Sequence, residues 1–197
     1  MNDHETVRVY DTQAQDYARM TDRDNATDPR LTAFIAKLPK GGRVLDLGCG
    51  PGAAAAVMAQ AGLQVDATDA SAEMVAMAAR QKGVTAWQAT FHDLDAQDTY
   101  DGLWANFSLL HAPRADMPVH LDQIVKALVP GGQFHLGLKL GTGSARDKLG
   151  RLYTYYTQDD LNALLQTAGF TITEVTLGRG KGLDGSLSDW ISLAAHA

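Results

Sequence analysis

Among 197 residues there is one cysteine, Cys49. That excludes an intrachain disulfide and a cysteine-rich metal centre, and it leaves a thiol-nucleophile mechanism without a residue outside position 49. Basic residues are scarce as well: 17 Lys and Arg stand against 23 Asp and Glu, a net charge of −6. Proteins that coat nucleic acid need clustered cations, so no nucleic-acid partner is expected. No run of about 18 apolar residues occurs, so neither a spanning helix nor a membrane partner is expected. The opening Met-Asn-Asp-His-Glu lacks the basic-then-apolar pattern of a secretory leader, and the expected location is cytoplasmic. Repeats and low-complexity tracts are missing. His92 and Asp93 lack a third ligand at a useful spacing, so no metal is expected.

What remains is ordinary globular composition, 45% hydrophobic and 20% charged, organised around one stretch. Val44-Leu45-Asp46-Leu47 reads as a buried strand that runs into Gly48, Gly50 and Gly52, followed by four alanines. Alternate glycines leave the backbone bare where a ligand can approach, and the helix that follows presents unpaired N–H groups there. Strands and helices then alternate: strands at 63–68, 84–89, 101–107 and 133–140, helices at 53–61, 72–82 and about 120–128. A polar stretch at 141–148 reads as a loop. A capped helix at 159–168 precedes two last strands, 170–177 and 187–193, whose Gly-rich connection leaves no room for a crossover helix, so that pair should be antiparallel. The expectation is an α/β doubly wound sheet with helices on both faces.

Residues 1–40 are read separately, as a helical segment before a domain spanning 41–197. Val7, Tyr10, Ala14 and Tyr17 share one helical stripe, and the segment is either a lid or a docking helix. In an open α/β sheet, ligands bind at the carboxyl ends of the strands. Asp69, at the end of the second strand, is placed to accept from both hydroxyls of a ribose, or else merely caps the next helix. Asp93, at the end of the third strand, could accept from an adenine amine while Leu94 packs on the ring.

In several places the chain resembles the class I S-adenosylmethionine-dependent methyltransferases. Asp46 to Gly52 resembles their D/E-x-G-x-G-x-G turn. Asp69-Ala70-Ser71-Ala72-Glu73-Met74 resembles D-x-S-x-x-M, and Asp93-Leu94 the adenine-side acidic motif. Asp101 to His111, Leu128 to Gly132 and Tyr155 to Phe170 resemble later family segments. The resemblance implies a Rossmann-like seven-stranded sheet of order 3-2-1-4-5-7-6 with strand 7 antiparallel, and S-adenosyl-L-methionine as cofactor. It also implies that Asp46, Gly48, Cys49, Gly50, Gly52 and Asn106 lie around the methionine half, that Asp69, Ala70 and Met74 serve the nucleoside half, and that Tyr10 and Tyr17 close over the cofactor.

The activity expected on that basis is direct in-line transfer of a methyl group to a small-molecule acceptor, with His111 as a general base or only a packing residue. Two alternatives stand beside it: a non-catalytic S-adenosylmethionine-binding protein, and a nicotinamide-dependent oxidoreductase, which the glycine spacing disfavours. Asn106-Phe107-Ser108-Leu109 does not match the N-P-P-Y motif of amino-directed nucleic-acid methyltransferases. Acceptor specificity is expected in residues 1–30, 107–118 and 141–156.

Overall fold

The computed structural model describes residues 3–25 and 28–197. Helix α1 (His4–Asn25) and α2 (Pro29–Ala36) precede β1 (Arg43–Leu47), α3 (Ala53–Gln60), β2 (Gln64–Asp69), α4 (Ala72–Ala78) and β3 (Val84–Gln88). Then come β4 (Tyr100–Asn106), α5 (Met117–Ala127), β5 (Leu128–Lys139), the short strands β6 (Ser144–Arg146) and β7 (Leu152–Thr154), α6 (Gln158–Thr167), β8 (Thr171–Lys181) and β9 (Leu187–His196).

Seven of these strands form one sheet, in the order β3-β2-β1-β4-β5-β9-β8. Strands β1 to β5 are parallel, and β9 runs antiparallel to both β5 and β8. Counted within this sheet alone, the order is 3-2-1-4-5-7-6, as expected. Alternation along each strand divides the interior into two cores. Leu45, Leu47, Leu103 and Ala105 face a core shared with α5, α6 and β9. Val44, Val65 and Trp104 face the other, against α2 and α3.

Three segments differ from the sequence reading. Residues 144–146, inside the stretch read as a loop, pair with 152–154 as a small antiparallel ribbon; strands of only three residues are too short to show a period. Strand β5 starts at Leu128, with the Pro130-Gly131-Gly132 turn inside it and a register shift opposite Tyr100 and Gly102. The polar run from Thr21 to Asp28 reads as a break in the helical pattern, but helix α1 continues through it as far as Asn25, with a kink at Gln13 (φ −114°).

The first helix is tied down at both ends of its cavity-facing stripe. Asp3 accepts from both terminal nitrogens of Arg146 at 2.8 and 2.9 Å, and Thr6 Oγ1 accepts from the Leu152 N–H at 2.8 Å. Further along, the Ser71 hydroxyl donates to Asp11 at 2.6 Å. Helix α1 therefore bridges from the β6–β7 ribbon to the start of α4, across the carboxyl ends of the central strands. No helix among the described residues is long and apolar enough to cross a membrane.

Candidate active site

The turn after β1 is built by hydrogen bonds to β2. The Gly48 and Cys49 N–H groups donate to the Thr68 carbonyl at 2.8 and 2.9 Å. The Gly50 N–H donates to one oxygen of Asp69, and the Ser71 N–H to the other, both at 2.9 Å. Ser71, not Asp69, is the N-cap of α4, accepting from the Met74 N–H. Asp69 thus has each oxygen anchored once, with a second lone pair remaining on each. Burial pushes its carboxyl above the usual range.

Glycine is needed at two of these positions. At Gly48 (φ +75°) a Cβ would fall 2.3 Å from the Ser108 Cβ, and at Gly50 (φ +53°) 3.3 Å from the Tyr17 ring. Gly52 has a different role: it opens α3 and packs on Ala78, whose Cα would lie 2.8 Å from an added Cβ.

Two cavities meet over this turn. The first, with about 740 Å³ of empty volume partly open to solvent, is walled by Asp69, Ala70, Met74, Phe91, His92 and His111. The second, about 1830 Å³ and more open, is walled by Asp46, Cys49, Asn106, Lys139, Tyr153 and Trp190 among others. Tyr10, Tyr17, Gly48, Gly50 and Phe107 belong to both. Asp93 and Leu94 line neither. The Asp93 carboxylate accepts instead from the Thr90 N–H at 2.8 Å, closing a short 3-10 turn, and Leu94 packs toward the core. Their neighbours Phe91 and His92 take the cavity wall.

At that end, the ring of His92 lies 4.5 Å from that of His120, and its Nε2 is 3.3 Å from Asp116. These three residues bring ligand-type atoms within 4.8 Å of one another, a grouping in which the fold brings His92 to the Asp116–His120 pair at the start of α5.

Asp46 is buried on the second cavity, and its Oδ2 has no hydrogen-bond partner. Burial and the nearby Asp69 push its pKa up to about 7. Asn106 is fixed by the buried His135, whose Nε2–H donates to Asn106 Oδ1 at 3.1 Å while its ring stacks on Trp104 at 3.6 Å.

His111 holds a defined tautomer. Its Nδ1–H donates to the Leu152 carbonyl at 2.6 Å, so Nε2 is the acceptor for the Tyr10 hydroxyl at 2.9 Å. Tyr10 in turn accepts from Arg151 Nη1 at 3.0 Å, and Arg151 is paired with Asp147 at 2.6 Å. Burial lowers the His111 pKa to about 4, so the ring is neutral at physiological pH. His111 faces only the first cavity; Tyr10 is the group that connects it to the second.

The sequence reading expected Phe107 within an acceptor-side stretch and the last two strands as an antiparallel pair, but it missed that their hairpin walls the second cavity. Phe107 sits at φ +56°, a conformation costing on the order of 1–2 kcal/mol for a non-glycine residue, and its ring stands edge-on to Trp190 at 6.2 Å. Trp190 pairs across from Gly178, where a Cβ would fall 2.1 Å from the indole. The Gly178-Arg179-Gly180 alternation opposite a tryptophan was the signal available for this.

The model of a methyltransferase domain matches residues 17–175. The chain belongs to that family. Among curated relatives, this methyltransferase-family chain is similar to O-methyltransferase cnsE of Penicillium expansum, at 31% identity over 153 residues, 70% of this chain and 55% of that one. It is also 34% identical over 104 residues to the malonyl-[acyl-carrier protein] O-methyltransferase of Enterobacter lignolyticus, covering 51% of this chain and 41% of the relative. The chain thus spans about half the length of these two relatives. A solved structure of 25% identity is the Burkholderia thailandensis 1,6-didemethyltoxoflavin-N1-methyltransferase, crystallised with 1,6-didemethyltoxoflavin and S-adenosylhomocysteine. It superposes with a TM-score of 0.71 over 100% of this chain and 90% of that one.

Proposed function

We propose that this protein is a cytoplasmic S-adenosylmethionine-dependent methyltransferase acting on a small molecule rather than on nucleic acid. The observation that carries the reading is a pair of carboxylates at adjacent strand ends around the glycine turn. Asp46 has a buried oxygen with no partner, which suits a ligand ammonium group. Asp69 is held by two backbone N–H groups with lone pairs to spare, which suits the hydroxyls of a ribose. Gly48 and Gly50 leave the backbone between them bare. Ala70, Met74, Phe91 and His92 give an apolar and aromatic wall for a purine.

S-adenosylmethionine would supply a methyl group already activated on a cationic sulfur. The protein then needs chiefly to align the reactants, which is worth about 7–11 kcal/mol of barrier. Tyr10 and Tyr17 roof the junction of the two cavities, and residues 1–40 act as a lid over the domain formed by 41–197. Where the acceptor carries a proton, the Tyr10 oxygen takes it as the phenol proton passes to Nε2 of His111, while Arg151 stabilises charge on the phenol oxygen. A residue pushed to about 4 is a weak sink, so the transfer is favourable only as methylation makes that proton acidic.

Calorimetry with S-adenosylmethionine, S-adenosylhomocysteine and NAD tests the cofactor assignment. Binding of the first two and not of NAD is expected, and Gly50→Val should abolish it while leaving the circular dichroism of the sheet intact. Undiminished affinity in Gly50→Val, or binding of NAD alone, would overturn the reading. Methyl-donor consumption with a panel of small acceptors then separates an enzyme from a non-catalytic binder.

A further inference from the structure

The second cavity contains a buried charge that the methyl donor does not account for. Lys139 is the last residue of β5 and only 9% exposed. Its ammonium lies 3.9 Å above the centre of the Tyr153 ring, and no carboxylate oxygen comes within 4.0 Å of it among the described residues. Of the other cations on this cavity, Arg151 is matched by Asp147 at 2.6 Å and Arg30 by Asp28 at 2.6 Å, while Lys181 is exposed to solvent. Asp184, the nearest acidic residue of the hairpin, is already engaged by the Ser186 N–H and hydroxyl at 3.0 and 2.6 Å. Burial and the neighbouring Arg151 guanidinium lower the Lys139 pKa, and the carboxylates of Asp184 and Asp147, neither in contact with the ammonium, offset this only in part. A desolvated cation left unpaired is costly to the empty protein and is satisfied by an incoming negative group.

The walls around Lys139 are flat and aromatic. Tyr153 lies beneath it, Trp190 is its cross-strand neighbour, and Phe107 stands edge-on to Trp190. The donor's groups belong to the ends of β1 and β2, at Asp46 and Asp69. Strand β5 lies two places away from β1, with β4 between them. At about 4.8 Å per strand, Lys139 is some 10 Å across the sheet from the donor turn, on the acceptor side.

We propose that the acceptor is a planar aromatic carboxylate whose carboxylate pairs with Lys139 while its ring packs among Tyr153, Trp190 and Phe107. This rests on the methyltransferase reading above, and it assigns Lys139 the choice of acceptor charge. The competing source of a carboxylate is the donor's own amino-acid end, which the test separates.

The probes are 2-, 3- and 4-hydroxybenzoate and their methyl esters, titrated by saturation-transfer NMR in the presence and absence of S-adenosylhomocysteine. At least one acid is expected to bind tenfold or more tightly than its ester. Lys139→Met should abolish that preference and Lys139→Arg should retain most of it, with S-adenosylhomocysteine affinity unchanged within twofold in both. Equal binding of acid and ester by the wild-type protein, no binding of any acid, or a large loss of S-adenosylhomocysteine affinity in Lys139→Met would each overturn the proposal. Failure of S-adenosylhomocysteine itself to bind would overturn both this proposal and the methyltransferase reading. Its binding without acid preference would remove only this one.

Discussion

The Tyr10 hydroxyl stands 2.9 Å from Nε2 of His111, and the imidazole is held in the acceptor tautomer by the Leu152 carbonyl behind it. One phenol on the first helix thereby joins the helix to the loop after β4, and Arg151 completes the chain at 3.0 Å. If Tyr10 and His111 move a proton together, removing either one should cost about what removing both costs. Turnover is expected to fall about a hundredfold in Tyr10→Phe, by a similar factor in His111→Phe, and by no more in the double variant. Additive losses, or unchanged turnover in either single variant, would show that the contact only holds the helix down.

Asp46 is expected to trade stability for ligand binding. A buried carboxyl with one unpartnered oxygen burdens the empty protein, and its folded pKa of about 7 lies above the usual carboxylate value. The folded state therefore binds the extra proton between about pH 4 and 7, and Asp46 contributes stability that is lost as pH rises through 7. Asp46→Asn should raise the melting temperature at pH 8 while weakening S-adenosylhomocysteine at least tenfold. In the wild-type protein the ammonium end needs the carboxylate, so donor affinity should decline as pH falls below about 7, approaching tenfold per unit. Calorimetry at pH 6, 7 and 8 measures this, and a flat profile would remove Asp46 from the site.

Residues near the donor turn were legible because each ends or directly follows a strand whose burial pattern is plain. Gly48 is one step beyond such a run, and Asp69 and Asn106 are the last residues of theirs. Asp93 and Leu94, expected on the adenine side, line neither cavity, since a short 3-10 turn directs the Asp93 carboxylate to the Thr90 N–H and puts Phe91 and His92 on the wall. On the second cavity, Phe107 and Tyr153 fall in stretches expected to carry acceptor specificity, whereas Lys139 and Trp190 were illegible. Lys139 and Trp190 meet only because β9 pairs antiparallel with β5 in one register, and sequence periodicity reports a strand without reporting its register. Phe107 in a left-handed conformation carries no sequence mark at all, because glycine or asparagine would be the usual sign.

The buried histidines predict how the fold responds to acid. His135 is pushed down to about 3 and His111 to about 4 by burial. The unfolded chain takes up these protons near pH 6.5 and the folded one does not, so both contribute stability that is lost as pH falls below 6.5. Asp46 acts in the opposite direction over part of the same range. His135→Gln keeps an N–H donor for Asn106 and removes one titration. Between pH 6.5 and 4.5 this variant should lose about 2 kcal/mol less stability than the wild-type protein. Urea unfolding at the two pH values measures the difference, and equal losses would place the acid sensitivity elsewhere.

Gly178 offers a way to perturb the acceptor side without touching the donor. Its backbone lies in an ordinary strand, so alanine there strains nothing in the main chain. The added Cβ would nevertheless fall 2.1 Å from Cζ2 of Trp190 and 2.5 Å from Cε2. Trp190 must then rotate or lift away, and with it the edge-on contact to Phe107 and the 4.7 Å stacking of Arg30 on the indole. Because Trp190 lies on β9, three strands across the sheet from β1 and its Asp46, S-adenosylhomocysteine affinity should stay within twofold in Gly178→Ala. Tryptophan emission should shift and the acceptor KM should rise several-fold, with kcat at saturating acceptor less affected. A loss of donor affinity equal to the rise in acceptor KM would mean that Trp190 serves the donor as well, and the division of the site into donor and acceptor halves would fall.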